Sequence, residues 1–328
     1  MKTFTVIGCG AWALSIANVL AENSHNVNLW CHDLNITTSI NKTHKNPLLK
    51  HLSIHPRIPA FNDLSNIDKD TNGIIIGVAS PFIDIIKKIP STQHAPFLVL
   101  TKGLLENKNT LLLADYINEI RPNNPLALLS GPNLAQEIIE KKPAATVIAS
   151  QKEHIAQFFQ TALSNHYLRV YTSSDIIGVS LGGILKNIMA IAGGCIDGLK
   201  LGMNSKAALL SRSLQEMIRI GTFLGGKKES FLGLSGLGDL ITTANSSLSR
   251  NWNVGYALAK GENFQKKLQQ TQSIAEGIKT TKIIYELSKK HHIDMPITEQ
   301  IYLALFKNKN PKDAINDLMT RKLKSEDT

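Results

Sequence analysis

Lys186 stands alone as a charge in an apolar stretch, and that isolation makes it a candidate for chemistry. It is the only charged residue between Asp175 and Asp197. On a helix it would be surrounded by small residues, namely Gly182, Gly183, Ala190, Gly193 and Gly194. A ligand could approach closely along such a face. A lysine desolvated beside a cavity has its pKa lowered toward the range useful for proton transfer, so we predict that Lys186 is a catalytic acid or base.

The same stretch is compatible with two simpler roles for the lysine. Its side chain could extend along a packed helix and keep its ammonium group in water. The run is also long enough to span a membrane, but a central lysine costs about 2.5 to 3.5 kcal/mol on insertion scales, and the glycines weaken the helix further. The sequence therefore favours a buried helix, and no membrane insertion is predicted.

A second candidate site lies at the first predicted strand. Residues 4–7 read Phe-Thr-Val-Ile and are followed by Gly8-Cys9-Gly10-Ala11-Trp12-Ala13. A GxGxxA motif between a strand and a helix is typical of dinucleotide binding. Gly8 permits the tight turn, Gly10 lets backbone amides reach a pyrophosphate, and the small Ala13 allows close helix packing.

The choice of nicotinamide cofactor depends on the end of the second strand. NAD-preferring sites place an acid there to hold the ribose 2′-hydroxyl. Here Asp33 comes late and His32 precedes it, so the position also suits a 2′-phosphate. We predict NADPH, with NADH as the alternative.

The elements that would position these residues change character along the chain. The first half alternates β-branched runs with helix-like segments, the pattern of a parallel sheet with crossover helices. Strands are predicted at residues 4–7, 27–30, 73–78, 97–100, 126–129 and 144–148, with a seventh at 167–171, and residues 44–59 are predicted to form a surface loop. Helical periodicity follows, for instance at 206–223, 278–290 and 298–306. Residues 231–239 are rich in glycine and predict a shaped loop rather than a long helix.

The fold class is therefore an α/β N-terminal Rossmann domain, with a doubly wound and mostly parallel sheet, followed by an all-α C-terminal domain. The predicted limits are residues 1–174 and 175–328. The net charge is +10, and residues 176–328 hold 21 Lys and Arg against 13 Asp and Glu. These lysines are scattered and no nucleic-acid-binding signature accompanies them, so an anionic small substrate or solvated helix faces explain the excess.

The three cysteines, Cys9, Cys31 and Cys195, are far apart and form no CxxC pair. That pattern favours free thiols over a disulfide framework, and no metal site is predicted. No segment near Met1 resembles a signal peptide, so the expected location is the cytoplasm.

Several motifs occur together in a recognisable order. They are Gly8 to Ala13 (GCGAWA), Thr101-Lys102-Gly103, Leu129 to Pro132 (LSGP), Leu181 to Asn187 (LGGILKN), Asn204 to Leu209 (NSKAAL), Gly233 to Leu240 (GLSGLGDL), Ser249-Arg250-Asn251 and Glu276-Gly277. Over nearly its whole length the chain resembles the bacterial-type NAD(P)-dependent glycerol-3-phosphate dehydrogenases. The resemblance implies reversible reduction of dihydroxyacetone phosphate to sn-glycerol 3-phosphate, the backbone precursor of phospholipids, and a homodimer.

The resemblance also implies residue roles. Lys186 would be the general acid and base, with Asp239 paired to the substrate or to the lysine. Substrate contacts are implied for Lys102, Gly131, Asn133, Lys186, Asp239, Ser249, Arg250 and Asn251. Cofactor contacts are implied for Gly8, Gly10, Ala11, Trp12, His32, Lys102, Ala135, Arg250, Ile274 and Glu276.

Some positions depart from the family pattern. Asn133 replaces a serine or threonine, and His32 replaces an arginine. Ser249 also suits a helix N-cap, a role compatible with phosphate binding. Two alternatives stay open: another dehydrogenase of the same two-domain design acting on a hydroxy acid, and a non-catalytic dinucleotide sensor.

Overall fold

The structure is a computed structural model that describes residues 1–49, 52–105, 110–264, 275–323 and 325–326. The chain divides into two compact units, residues 1–180 and 181–328. A long helix begins in the first unit and continues into the second. The predicted boundary between 174 and 175 lies just before that helix.

The first unit is built on an eight-stranded sheet. Its strands are β1 (Thr3–Ile7), β2 (Asn26–Trp30), β3 (Ala60–Phe61), β4 (Gly73–Ile76), β5 (Phe97–Val99), β6 (Leu126–Ser130), β7 (Ala144–Ala149) and β8 (Leu168–Ser173). They lie in the order β3-β2-β1-β4-β5-β6-β7-β8. Every neighbouring pair is parallel except β6 and β7. Since β2 and β4 flank β1 on opposite sides, the topological switch point falls at the carboxyl end of β1, where such sheets bind ligands.

Helices of the first unit connect these strands. They are α1 (Ala11–Glu22), α2 (Leu34–Thr43), α3 (Leu113–Ile120), α4 (Ala135–Ile139) and α5 (Glu153–Leu163), with 3₁₀ segments at Leu64–Asn66 and Ser80–Lys88. All four residues of β4 are buried, which explains why its sequence is a continuous apolar run rather than an alternating one. One core cluster joins Phe4 of β1 to Phe159 of α5.

The predicted strands are confirmed to within a few residues, including the seventh, which is β8. The short β3 was missed because it has only two residues, and it directly follows the predicted loop at 44–59. Its pairing with β2 joins Leu29 to Ala60 and Trp30 to Phe61. Two residues carry too little periodicity to mark a strand.

The second unit is helical among its described residues, as predicted. Its helices are α6 (Ile176–Gly198), α7 (Gly202–Phe223), α8 (Lys228–Leu232), α9 (Asp239–Ala244), α10 (Arg250–Ala259), α11 (Glu276–Lys290), α12 (Pro296–Phe306) and α13 (Pro311–Met319). Helices α11 and α12 meet through stacked rings, with the centroids of Tyr285 and Tyr302 3.8 Å apart.

Helix α6 is the core helix of this unit. By length and composition it could cross a membrane, but 83% of its most apolar window is buried inside the fold. The sequence suggested that a ligand could approach the glycine face of α6. At Gly193 and Gly194 that suggestion was wrong, because other helices fill the space beside them. A methyl group on Gly193 would lie 2.9 Å from the carbonyl oxygen of Ala244, and one on Gly194 would lie 2.0 Å from that of Trp252. These glycines let α9 and α10 pack directly on α6.

The glycine-rich stretch at 231–239 is not an open loop. Residues Leu234–Gly238 form a π-helical turn between α8 and α9, in which the amide of Gly238 donates to the carbonyl of Gly233 at 3.1 Å. A methyl group on Gly236 would lie 2.1 Å from the carbonyl oxygen of Phe231, so the tight turn requires glycine there. The prediction was right that no long regular helix forms and wrong about the kind of structure that replaces it.

Candidate active site

Two buried polar side chains contact the Lys186 ammonium. Its Nζ donates to Oδ1 of Asp239 at 2.7 Å and to Oγ1 of Thr243 at 2.6 Å. Oγ1 of Thr243 in turn donates to Oδ1 of Asp239 at 3.1 Å. The side chains of Lys186 and Asp239 are only 11% and 3% exposed. Buried charges are tolerated when they are paired and hydrogen-bonded, and this pair meets both conditions.

Local structure explains this arrangement. The π-helical turn ends at Gly238, so Asp239 is the first residue of α9. Thr243 follows one turn later on the same face, four residues along the helix. π-Helical turns are frequent at functional sites. Here the turn aims two polar side chains of α9 at one lysine of α6.

The segment Ser249-Arg250-Asn251 begins α10. Ser249 is its N-cap, and its side chain accepts from the amide of Trp252 at 3.2 Å, so the expected capping role is confirmed. Arg250 is exposed and Asn251 is buried. A helix N-terminus with a neighbouring guanidinium is a favourable environment for a phosphate group.

Asn251 ties three helices together. Its Nδ2 donates to Oδ1 of Asn187 at 2.9 Å, and its Oδ1 accepts from the amide of Gly277 at 3.0 Å. Asn187 adjoins Lys186 on α6, and Gly277 adjoins Glu276, the first residue of α11. A methyl group on Gly277 would lie 2.7 Å from Oδ1 of Asn251. Asn251 thus contacts the chain neighbour of Lys186 on one side and the chain neighbour of Glu276 on the other. These contacts bring Lys186, Asn251 and Glu276 close together.

The glycine motif after β1 has the geometry that dinucleotide binding needs. Gly8 has φ +116°, and a methyl group there would lie 2.8 Å from the carbonyl oxygen of Gly77, so only glycine fits. Gly10 is the N-cap of α1, and a methyl group on it would meet nothing within 4 Å. A methyl group on Gly77 would lie 2.6 Å from Cβ of Ala13, which supports the expectation that a small residue is needed at 13. The open N-terminus of the 12-residue α1 suits a pyrophosphate.

His32 and Asp33 follow β2 and are exposed. The Asp33 carboxylate caps α2, because its Oδ1 accepts from the amides of Asn35 at 2.7 Å and Ile36 at 3.4 Å. The carbonyl of His32 accepts from Nδ2 of Asn62 at 2.6 Å. Asp33 is therefore engaged in capping, whereas the His32 ring lies exposed at the position where a ribose 2′-substituent is expected.

The other predicted residues of the first unit lie in loops after strands or at a helix start. Lys102 is half-buried and follows β5. Gly131 follows β6 with φ +149°. Asn133 donates through Nδ2 to the carbonyls of Pro132 and Ala145 at 3.1 and 3.2 Å, while its buried Oδ1 has no partner among the described residues. Ala135 begins α4, and its carbonyl accepts from Oγ of Ser15 on α1 at 3.0 Å. Ala135 therefore lies beside the helix that follows the glycine motif.

One predicted residue, Ile274, lies outside the described residues. Sequence reasoning missed two others that the site contains, Thr243 and Asn187. Thr243 could have been found from its spacing of four residues after Asp239 on a helix. Asn187 gave only a weak signal, as the polar residue next to Lys186. Within the described part of the chain no three His, Cys, Asp or Glu side chains group in a way that could hold a metal ion.

A doubly wound sheet with a glycine turn at its switch point, joined to a helical unit with a buried Lys–Asp pair, defines an NAD(P)-dependent oxidoreductase. The particular family follows from comparison with known proteins. Residues 3–156 match the model of the NAD-dependent glycerol-3-phosphate dehydrogenase N-terminus, and residues 175–316 match that of its C-terminus. The chain belongs to this family.

Relatives match over the whole chain. Glycerol-3-phosphate dehydrogenase [NAD(P)+] of Syntrophotalea carbinolica is 38% identical over 327 residues, covering 98% of both chains. The protein of the same name from Bacillus pumilus is 39% identical over 328 residues, covering 98% of this chain and 95% of the relative. The crystal structure of glycerol-3-phosphate dehydrogenase from Coxiella burnetii superposes with a TM-score of 0.90 at 33% identity, covering 98% of this chain and 99% of that one.

Proposed function

We propose that this protein reduces dihydroxyacetone phosphate reversibly to sn-glycerol 3-phosphate with NAD(P)H and so supplies the phospholipid backbone. The observation that carries the proposal is the buried contact of Lys186 with Asp239 and Thr243 in a chain of this family. When bound, the nicotinamide cofactor supplies the hydride. The protein's own residues must bind the substrate, orient it and provide the proton.

Lys186 is the proposed proton donor. As hydride reaches C2 of dihydroxyacetone phosphate, negative charge develops on the C2 oxygen. A nearby ammonium group stabilises that charge and transfers a proton to it, and in the reverse direction the neutral amine accepts the proton from the alcohol. Asp239 and Thr243 hold Nζ of Lys186 at 2.7 and 2.6 Å, so they fix the position from which the proton leaves.

The phosphate group of the substrate is proposed to bind at the start of α10. Ser249 and Arg250 present a hydroxyl and a guanidinium there, next to the backbone amides of the first helical turn. Asn251 joins this segment to Asn187, the neighbour of Lys186. Substrate contacts are also proposed for Lys102, Gly131 and Asn133. The Oδ1 of Asn133, which lacks a partner among the described residues, suits a hydroxyl group that donates to it.

The dinucleotide is proposed to bind along the start of α1. The strained turn at Gly8 and the open space at Gly10 fit a pyrophosphate against the helix N-terminus. Ala11, Trp12 and Ala135 border that helix start, while Arg250, Ile274 and Glu276 are proposed contacts by family resemblance. Since Asp33 caps α2, we propose that His32 contacts a 2′-phosphate and that NADPH is preferred over NADH.

We also propose the domain limits, the location, the oligomeric state and the absence of membrane insertion. The domain limits 1–174 and 175–328 agree with the start of the C-terminal family match at residue 175. A cytoplasmic location is supported by three free cysteines, which are typical of a reducing compartment. The homodimer rests on family resemblance, and burial of α6 within the fold supports the absence of membrane insertion.

The test is an assay of NADPH oxidation with dihydroxyacetone phosphate, run beside its unphosphorylated parent dihydroxyacetone. We expect kcat/KM to be at least about 1000-fold higher for the phosphate ester, because the proposed guanidinium and helix-terminal contacts to phosphate are lost in the parent. Lys186→Met should lower kcat by about 100-fold or more and keep NADPH affinity. NADH in place of NADPH should lower kcat/KM.

Each of these measurements has an outcome that would contradict the proposal it tests. Equal kcat/KM for both substrates would exclude a phosphate site and favour a hydroxy-acid dehydrogenase of the same design. Near wild-type turnover of Lys186→Met would remove the lysine from the chemistry. NADPH binding without turnover of any substrate would indicate a dinucleotide sensor, and a preference for NADH would overturn the proposed role of His32.

A further inference from the structure

Two cysteines meet at the carboxyl ends of β1 and β2. Cys9 lies in the glycine motif after β1, and Cys31 is the first residue after β2. The strands are parallel neighbours, with Ile7 opposite Trp30, and the amide of Gly8 donates to the carbonyl of Trp30 at 3.0 Å. Cys31 belongs to the core cluster of the first unit, and Cys9 packs against that cluster. A pair far apart in sequence is therefore brought together beside the dinucleotide motif.

The two thiols differ in environment. Cys31 has no exposed surface and belongs to the sheet core, whereas Cys9 is half-buried. A hydrogen bond with Cys31 holds the pKa of Cys9 below its ordinary value. The same contact together with burial raises the pKa of Cys31. Because the thiolate is the reactive form, Cys9 is suited to attack an oxidant first. The largest cause of the raised pKa of Cys31 is its contact with the Cys9 thiol, and that contact ends once the Cys9 sulfur is in a mixed disulfide, so Cys31 can then resolve the product.

We propose that Cys9 and Cys31 are a redox modification site, at which a reversible disulfide closes across the ends of β1 and β2 and weakens dinucleotide binding. The proposal rests on the proposed cofactor site and adds a form of regulation to it. Transient disulfides of this kind occur in otherwise reducing compartments, where they serve as sensors.

The chemistry needs a small disulfide such as oxidised glutathione as the oxidant. The Cys9 thiolate attacks one sulfur of that disulfide, forms a mixed disulfide and releases one small thiolate. Cys31 then loses its proton and its sulfur attacks Sγ of Cys9, which releases the second small thiolate. Two protein thiols are thereby oxidised by two electrons, and one small disulfide is reduced to two thiols.

The bond would act on the cofactor through the glycine turn. Cys9 stands between the strained Gly8 and Gly10, the N-cap of α1. Its carbonyl is also held by Nδ2 of Asn46 at 2.9 Å, so the turn is fixed on one side already. A covalent tie to β2 fixes it on the other side and limits its adjustment around a pyrophosphate. Linkage requires that bound NADPH opposes disulfide formation by the same factor.

The experiment equilibrates the full-length protein in glutathione buffers of increasing oxidised fraction, maps the disulfides by mass spectrometry and measures the dissociation constant of NADPH. We expect a Cys9–Cys31 disulfide, an NADPH dissociation constant raised by at least about fivefold, and reversal of both by dithiothreitol. Saturating NADPH should shift disulfide formation to more oxidising buffer.

Two variants separate pairing from simple thiol modification. Cys31→Ser should accumulate glutathione on Cys9, because the resolving thiol is gone. Cys195→Ser should behave like the wild type, since Cys195 is buried in the other unit, where burial raises its pKa to about 12. A wild-type protein that keeps glutathione on Cys9, or an oxidised form with unchanged NADPH affinity, would overturn the proposal. A reduced protein that fails to bind NADPH would instead overturn the proposed function.

Discussion

The contacts of Lys186 show how a buried ammonium group is kept in place. Asp239 supplies the opposite charge, and Thr243 accepts from Nζ while donating to the same carboxylate. Hydrogen bonds involving a charged group contribute about 1.5 to 3 kcal/mol. Thr243 therefore acts as a positioning residue, since it fixes both partners of the ion pair on one side.

Replacement of Thr243 tests that role. Thr243→Val keeps the shape of the side chain but removes the hydroxyl, so we expect kcat to fall about 10- to 100-fold, with little change in the KM for NADPH. Steady-state kinetics of the purified variant measure both values.

Thr243→Ser is the matched control, because it restores the hydroxyl and should return kcat to within about threefold of the wild type. A melting temperature for each variant separates misfolding from loss of the contact. Wild-type turnover in Thr243→Val would mean that the Thr243 hydroxyl is not needed to position the lysine.

The sequence pointed to Lys186, and family resemblance added Asp239 as a partner of the substrate or of the lysine, but neither indicated Thr243. Lys186 is conspicuous because a lone charge in an apolar run is costly, and Asp239 follows a conspicuous run of glycines. Thr243 lies in an ordinary helical segment, where a threonine has no distinctive pattern. Its importance depends on the π-helical turn that sets the phase of α9, and nothing in the spacing of the glycines specifies that turn.

The glycines of α6 and α10 set the distances between helices. A methyl group on Gly255 would lie 1.8 Å from the carbonyl oxygen of Ile191, so backbone meets backbone where α10 crosses α6. The sequence predicted a close approach along the glycine face and assigned it to a ligand. Glycine permits both outcomes, and only the tertiary arrangement decides between a ligand and a helix.

A contact between helices α7 and α12 makes the stability of the fold depend on pH. Glu216 on α7 is 2% exposed and caps α12, because its carboxylate accepts from the amides of Ile297 and Thr298 at 2.5 and 3.1 Å. Burial raises the pKa of Glu216 from 4.5 to about 7. The folded state thus holds this proton more tightly than the unfolded chain does. Its stabilising effect is complete below pH 4.5 and is lost as the pH rises through 7.

We therefore expect the free energy of unfolding of the wild type, relative to Glu216→Gln, to fall by up to about 3 kcal/mol between about pH 4.5 and pH 8. Denaturant titrations of both proteins at several pH values measure this difference. The glutamine side chain of the variant cannot titrate, so subtraction removes every other group whose titration is the same in the two proteins. A difference that stays constant with pH would mean that Glu216 keeps an ordinary pKa in the fold.

The distribution of charge along the chain suits the proposed substrate. The net charge is +10, and most of the excess lies in residues 176–328, which include Lys186 and Arg250. A positive field raises the local concentration of an anion and speeds its association, and salt screens that effect. Neither the scattered lysines nor the sum of charges identifies the substrate, but together they predict how its binding responds to salt.

We expect kcat/KM for dihydroxyacetone phosphate, at saturating NADPH, to fall about tenfold as ionic strength rises from about 0.01 to 1 M, because the Debye length shrinks from about 30 to about 3 Å. The kcat at saturating substrate should change by less than about twofold, since the proposed proton transfer from Lys186 takes place in a buried site that salt screens little. Dihydroxyacetone, which is neutral, is the control and should show no such fall. A salt response shared equally by both substrates would mean that salt acts on the protein or the cofactor, and the positive field would then have no part in capturing the phosphate ester.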